Sequence, residues 1–120
     1  MTTAQTWLDG YIRAWESKDP AQARALFTDD AEYWFRPDDP EPLRGVDAIA
    51  RMWAEEEEPT RAQHALCVLI EDDRLGIITG TVDYPGHDSY CNLWEVHFAA
   101  DGRAQRFVEW YMPATAPDEG

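Results

Sequence analysis

The sequence predicts an α+β fold in which a strongly bent antiparallel sheet wraps around three N-terminal helices. Apolar residues recur at helical spacing in the first half of the chain, whereas the part after Thr60 consists of β-prone runs separated by turn-forming residues. The predicted order is helix, helix, strand, helix and then a long antiparallel meander, which is typical of the α+β class. No internal repeat or linker interrupts this order, so we expect one domain over residues 1–113 and a frayed tail over residues 114–120.

Three segments have the features of helices. Residues 3–17 carry a single apolar stripe at helical spacing, formed by Trp7, Leu8, Tyr11, Ile12 and Trp15. Asp19 and Pro20 end this helix, and Pro20 is suited to begin a second helix over residues 21–27. Residues 46–56 form the third, with Asp47 in the first turn, where the helix dipole favours an acid.

The other regular segments are predicted to be strands. A first strand over residues 31–36 precedes a loop rich in proline and aspartate. The four strands of the meander follow over residues 63–71, 75–84, 89–99 and 103–112. Asp101-Gly102 is a strong hairpin signal between the last two of them.

Composition argues against several classes of function. The chain has 120 residues, of which 44% are hydrophobic and 12% aromatic, so it is long and apolar enough for a real core. It has 24 acidic and 10 basic residues and a net charge of -14, which argues against nucleic acids and anionic membranes, because both select basic patches. No apolar run approaches the roughly 20 residues of a membrane span, and the N-terminus lacks the pattern of a signal peptide. We therefore expect a cytoplasmic protein.

The two cysteines, Cys67 and Cys91, both fall inside predicted strands. In a reducing cytoplasm the expectation is two buried free thiols, although a disulfide stays open.

Glu109 is the strongest candidate for a catalytic residue. It lies in a β-prone run in which Phe107, Glu109 and Tyr111 share one face. A carboxylate between two aromatic side chains lies at the water boundary or in a pocket, and buried acids cluster at functional sites. Two other interpretations stay open: Glu109 is exposed while Val108 and Trp110 face the core, or it is buried with a structural partner.

Asn92 is a second candidate, on the neighbouring strand. It is polar within a face otherwise formed by Tyr90, Trp94, Val96 and Phe98. Asn92 either orients a substrate carbonyl or a water, or bonds to local backbone or water.

Aromatic residues from several elements are expected to meet inside the fold. These are Trp15, Tyr33, Trp53 and Trp94. Such rings form either plain core or the flat walls of a pocket for a small apolar or aromatic ligand. Tyr11 is expected to position a polar group of that ligand, and Tyr111 to line the same pocket.

Several short motifs, spread over nearly the whole chain, point to one family. They are Tyr11-Ile12-Arg13-Ala14-Trp15, Leu26-Phe27-Thr28-Asp29-Asp30-Ala31, Arg44-Gly45 before Val46-Asp47-Ala48-Ile49, and Phe98-Ala99-Ala100-Asp101-Gly102-Arg103 leading to Glu109-Trp110-Tyr111. In this order the chain resembles the SnoaL-like members of the nuclear transport factor 2-like family. The resemblance implies a cone formed by a bent sheet and three helices, a pocket inside the cone, and a homodimer formed through the sheet.

Ketosteroid isomerase is one enzyme type on this fold. Its first-helix tyrosine is matched by Tyr11. Its two acids have no counterpart, because their positions fall near Phe35 or Arg36 and at Trp94.

Limonene-epoxide hydrolase is another enzyme type on this fold. Asp83 and Glu109 match its two acids, and Thr81 stands where the bridging arginine belongs. Asp83 is therefore a second candidate for a catalytic acid, at a strand end where water is near.

The resemblance and the candidate residues together predict a small-molecule enzyme. It would be a lyase, isomerase, cyclase or hydrolase that acts on an apolar substrate through a pocket carboxylate. No cofactor is implied, because there is no glycine-rich phosphate loop, and no metal-ligand constellation is evident. The alternative is a non-catalytic ligand-binding or dimerisation module of the same fold, since fold alone does not determine activity.

Overall fold

Helices and strands follow one another in the predicted order. A computed structural model describes residues 3–55, 63–86 and 88–114. The elements in these ranges are α1 Thr3–Ser17, α2 Pro20–Leu26, β1 Phe27–Trp34, β2 Leu43–Arg44, α3 Val46–Glu55, β3 Gln63–Glu71, β4 Leu75–Asp83, β5 Ser89–Phe98 and β6 Ala104–Pro113. The predicted α+β class is confirmed, with three helices against one curled sheet.

The described strands form a single six-stranded sheet in the order β2-β1-β6-β5-β4-β3. Neighbouring strands are antiparallel except β1 and β6, which pair in parallel. A parallel pair needs a long crossover connection, and here α3 and the strands β2 to β5 supply it. The parallel pair brings the last strand back beside the first, so β6 lies in the middle of the sheet.

The helices cover the inner face of the sheet through the predicted apolar stripe. Trp7, Leu8 and Tyr11 of α1 are buried, and the indole Nε1 of Trp7 donates a hydrogen bond to the Leu26 carbonyl at 2.9 Å. Asp19 caps α2 by accepting a hydrogen bond from the Ala21 backbone N–H at 2.9 Å. These contacts tie the first two helices together over the core.

The boundary between α2 and β1 differs from the prediction. Phe27 has extended backbone and begins the strand, whereas the sequence suggested that it ended the helix. Asp29 and Asp30, which lie between the predicted helix and the predicted strand, are exposed within β1, where the pairing register shifts between Phe27 and Glu32. A bulge of this kind absorbs extra residues without ending a strand.

The prediction that the cysteines are buried is wrong. Cys67 and Cys91 are free, as expected, but both are exposed. Because Asn92 and Trp94 of β5 are buried on the inner face, Cys91 belongs to the outer face. Membership of a strand did not indicate which face each thiol occupied.

The predicted frayed tail and the expected absence of a membrane span concern residues that the structure describes only in part. Ala114 still donates a backbone hydrogen bond to the Ser89 carbonyl at 2.8 Å, while residues 115–120 of the predicted tail lie outside the described residues. No helix within the described ranges combines the length and the apolar character needed to cross a membrane.

Candidate functional site

A cavity of about 260 Å³ lies between the helices and the inner face of the sheet. All of the predicted site residues except Asp83 line it: Tyr11, Trp15, Tyr33, Trp53, Asn92, Trp94, Glu109 and Tyr111. They come from α1, β1, α3, β5 and β6. The cone shape therefore brings side chains that are distant in sequence to one space.

Glu109 lies on the cavity wall and its carboxylate is held by an indole. Trp94 and Glu109 are directly opposite each other on β5 and β6. Trp94 Nε1 donates a hydrogen bond to Glu109 Oε2 at 3.2 Å. Glu109 is half-buried, whereas Trp94 is 2% exposed. The interpretation that Glu109 lies on the outer face is excluded by this geometry.

The face that carries Glu109 passes from core to solvent along β6. Phe107 is fully buried, Glu109 is half-buried and Tyr111 is 52% exposed. This gradient places the carboxylate between the apolar floor of the cavity and its mouth.

Asn92 adds a buried amide to the same wall. It is 6% exposed, lines the cavity, and lies opposite Tyr111 on β6. An amide supplies both a donor and an acceptor. Asn92 therefore adds to a mostly aromatic wall a group that can both donate and accept a hydrogen bond.

Aromatic rings from the helices and from the sheet also line the cavity, and two of them, Tyr11 and Tyr33, carry hydroxyl groups. The hydroxyl oxygens of Tyr11 and Tyr33 are 3.3 Å apart. The centroid of the Tyr11 ring lies 4.9 Å from that of the Trp53 ring and 4.8 Å from that of the Trp94 ring. Tyr11 thus joins the helices to the sheet at the centre of the cavity.

Asp83 is not brought into this site. Val82 lines the cavity, so Thr81 and Asp83 on either side of it belong to the opposite face of β4. The Asp83 carboxylate accepts a hydrogen bond from the Ser89 hydroxyl at the end of the strand pair. Its proposed role as a second catalytic acid has no cavity contact behind it.

Some residues that line the cavity were not predicted as site residues. They are Phe35, Met52, Val82, Tyr84 and Tyr90. Tyr90 shares the inward face of β5 with Asn92, so strand alternation was the signal that could have identified it.

Tyr90 also has a perturbed hydroxyl. Loss of hydration, together with the negative charge of Asp88, raises the pKa of the Tyr90 hydroxyl above its ordinary value of 10.0. The hydroxyl donates a hydrogen bond to Asp88 Oδ2 at 3.3 Å. Tyr90 is therefore a neutral donor at physiological pH rather than a base.

The charges at the site limit the chemistry available to these side chains. Glu109 is the charged side chain among the described residues that line the cavity. Within residues 3–55, 63–86 and 88–114, no three potential metal ligands come together. The arrangement combines one carboxylate, one amide and several hydroxyl groups in an aromatic enclosure, which suits proton transfer and hydrogen bonding.

Comparison with known proteins places this architecture in a family. The model of the family described as SnoaL-like domain matches residues 8–115. Among curated proteins, no significant match was found.

Solved structures with the same fold include both enzymes and proteins without a stated activity. A protein from Sphaerobacter thermophilus is 23% identical, with a TM-score of 0.73 over 88% of this chain and 93% of its own. A steroid delta-isomerase from Pseudomonas aeruginosa is 16% identical, with a TM-score of 0.68 over 94% of this chain and 82% of its own. An LEH-like epoxide hydrolase from M. tuberculosis is 15% identical, with a TM-score of 0.65 over 92% of this chain and 83% of its own. At these identities the likeness shows a shared fold.

Proposed function

Because the chain belongs to the SnoaL-like domain family, we propose that it is a cofactor-independent enzyme in which Glu109 moves a proton on a small, mostly apolar substrate. The observation that carries the proposal is the Glu109 carboxylate on the wall of an aromatic cavity, with Oε2 held 3.2 Å from Trp94 Nε1. A fixed carboxylate in an apolar enclosure is the arrangement that general acid–base catalysis requires. Isomerases, lyases and cyclases of this kind remove a proton from carbon, and epoxide hydrolases remove one from water.

The other polar residues of the cavity have complementary roles in this proposal. When Glu109 takes a proton from carbon, negative charge develops on the substrate, for example on a carbonyl oxygen. In this proposal the Asn92 amide and the Tyr11 hydroxyl, which line the same cavity, donate hydrogen bonds to that charge. The aromatic walls hold the substrate skeleton and exclude water.

The activities of two neighbours that share the fold agree with this class of reaction but do not specify the reaction. A steroid delta-isomerase and an epoxide hydrolase are both fold neighbours of this chain. The Tyr11 hydroxyl supports a likeness to the isomerase site. Thr81 and Asp83 lie on the outer face of β4. This position argues against a pair of catalytic acids like the one that the resemblance to limonene-epoxide hydrolase implies.

A model reaction tests the proposal without knowledge of the substrate. In 5-nitrobenzisoxazole, a base removes the C3 proton, the C–H electron pair forms the nitrile, and the N–O bond breaks to release a coloured phenolate. We expect saturable turnover, and we expect Glu109→Gln to reduce kcat/KM by about 100-fold or more, since Gln cannot accept the proton. The matched control is Asp73→Asn, which removes an exposed carboxylate that does not line the cavity and should leave the rate unchanged.

The outcome also separates the proposed enzyme from the alternative, a ligand-binding module without catalysis. If Glu109→Gln retains the turnover of the wild type, Glu109 is not the base. If the wild type binds the probe but does not accelerate its elimination, the binding module is favoured instead.

We also propose that the protein forms a homodimer through the outer face of the sheet. Support comes from large apolar side chains that this sheet leaves exposed: Leu69, Ile70, Trp110 and Met112. Large apolar side chains that stay exposed on a sheet are typical of a surface that a partner covers.

A further inference from the structure

We propose that the cavity selects ligands carrying a positively charged amine on an apolar or aromatic skeleton. This inference rests on the proposed use of the cavity and of Glu109 as a binding and reacting group, and it specifies the class of substrate. Two features of the cavity carry it, the arrangement of the aromatic rings and the position of the carboxylate.

The aromatic rings form a curved wall rather than a flat slot. The Tyr11 and Trp53 rings are inclined by 84°, and the Tyr11 and Trp94 rings by 50°. Tyr33 and Trp15 extend the same wall. These rings pack against one another, with centroids 4.9 Å and 4.8 Å apart, so a ligand meets them where they line the cavity. The face of an aromatic ring attracts a cation that lies within about 6 Å of its centroid.

The carboxylate lies beside this wall, where a cation would need its counter-charge. The Glu109 carboxylate accepts a hydrogen bond from the indole of Trp94, and the centroid of this ring lies 4.8 Å from that of Tyr11. A cation over these rings is therefore close to the Glu109 side chain as well. Attraction between opposite charges is stronger in a water-poor cavity than at the surface.

The charge of the whole chain acts in the same direction. The net charge of -14 produces a negative field around the protein. Such a field raises the local concentration of cations and repels anions. An anionic substrate would meet both this field and the carboxylate of Glu109.

The size of the cavity limits the skeleton of the ligand. A volume of about 260 Å³ is slightly below the range of roughly 300 to 1,000 Å³ that is typical of small-molecule sites. One aromatic ring with a short ammonium substituent suits this volume better than a fused multi-ring skeleton.

The test uses two probes of the same shape that differ only in charge. They are 3-hydroxyphenyltrimethylammonium and 3-tert-butylphenol, titrated into the full chain by isothermal calorimetry in physiological salt. We expect the cation to bind about tenfold more tightly than its neutral isostere, because a desolvated cation–π contact and an ion pair each exceed the apolar contact that replaces them. Glu109→Gln should weaken binding of the cation about tenfold and leave binding of the isostere nearly unchanged.

A surface-charge control makes the result specific to the cavity. Asp73→Asn changes the net charge by the same amount as Glu109→Gln, but at an exposed turn, and should not alter the preference. If both variants reduced the affinity for the cation equally, only the overall field of the protein would attract the cation, and the proposal would be overturned.

Equal affinity of the two probes in the wild type also overturns the preference for amines, as does the absence of binding by the cation. Neither result tests whether Glu109 acts as a base, because the elimination of 5-nitrobenzisoxazole tests that separately. Conversely, loss of that turnover with a retained preference for the cation would remove the proposed reaction and keep the ligand class.

Discussion

Trp94 donates its indole N–H to the carboxylate of Glu109 across the β5–β6 pair, with Nε1 3.2 Å from Oε2. The two residues are directly opposite in the register, so the backbone of two central strands sets their separation. Trp94 is nearly fully buried and therefore has little freedom to move away. The orientation of the carboxylate is thus determined by the sheet and does not depend on a loop.

The first prediction concerns this hydrogen bond. Trp94→Phe retains an aromatic ring but removes the donor, so Glu109 loses the hydrogen bond from this indole. We expect kcat for 5-nitrobenzisoxazole to fall about three- to tenfold, which corresponds to a hydrogen bond of about 1 kcal/mol, with a smaller change in KM. Steady-state kinetics on the wild type and the variant provide the measurement.

The chain contains a matched control for this substitution. Trp34 Nε1 donates a similar hydrogen bond to Glu32 Oε1 at 3.1 Å, and neither residue lines the cavity. Trp34→Phe should therefore leave kcat unchanged. A kcat for Trp94→Phe as high as that of the control would show that the indole does not position the base.

The sequence predicted the elements more accurately than their pairing and their faces. Residues 63–71 were predicted as a strand with the bounds that the structure has, because β-prone runs and aspartate turns are local signals. The short strand Leu43–Arg44 was missed, since two residues carry no periodicity. The parallel pairing of β1 with β6 joins segments that are distant in the chain, and no local pattern encodes it.

The same limit applied to the candidate site. Glu109 was the strongest candidate, with an exposed position left open, and the structure has it on the inner wall on the same strand face as the buried Phe107. Asp83 was included through alignment with an acid of another enzyme, but Val82 occupies the inner face of that strand end. Which face of a strand points inward depends on the packing of the whole sheet, and a short run near a turn does not reveal it.

A second prediction concerns the stability of the turns at low pH. Asp72 accepts backbone hydrogen bonds from Arg74 and Leu75, and these lower the pKa of its carboxyl below the ordinary value of 3.8. Hydrogen bonds from Arg103, first from its backbone and then from its side chain, lower the pKa of Asp101 in the same way.

The sign of the effect follows from the direction of both shifts. A carboxyl whose pKa is lower in the folded state stabilises the protein above its unfolded-state pKa, and this contribution is lost as the pH falls through the folded-state value. We therefore expect the double variant Asp72→Asn, Asp101→Asn to lower Tm at pH 6 and to show a weaker fall in Tm below about pH 4. Thermal unfolding across the pH range measures this, and Asp73→Asn, at a neighbouring exposed position, should follow the wild type. A parallel pH profile for the double variant would contradict the assignment.

A third prediction concerns the close approach of β3 and β4 at Gly80. A Cβ added to this residue would lie 1.9 Å from the Ala65 carbonyl oxygen, and both atoms belong to paired strands. Because the clash is with backbone, it cannot be relieved by a side-chain rotation. We expect Gly80→Ala to lower the free energy of unfolding by about 3 kcal/mol or more. Chemical denaturation provides the value, and Thr81→Ala, at the adjacent exposed position, should cost less than about 1 kcal/mol. Equal effects of the two substitutions would show that the strands can separate at Gly80 without loss.

The last prediction concerns the proposed homodimer. Met112 is 65% exposed and Trp110 is 46% exposed, and both occupy the outer face of β6 because Tyr111 between them lines the cavity. A second copy packed on this face would bury both side chains, and a carboxylate introduced there would be desolvated at the interface. We therefore expect the wild type to be dimeric and Met112→Glu to be monomeric at the same concentration in sedimentation equilibrium. Ala25→Glu adds the same charge at an exposed position of α2 and should stay dimeric. A monomeric wild type, or dissociation caused equally by Ala25→Glu, would contradict an interface on this face of the sheet.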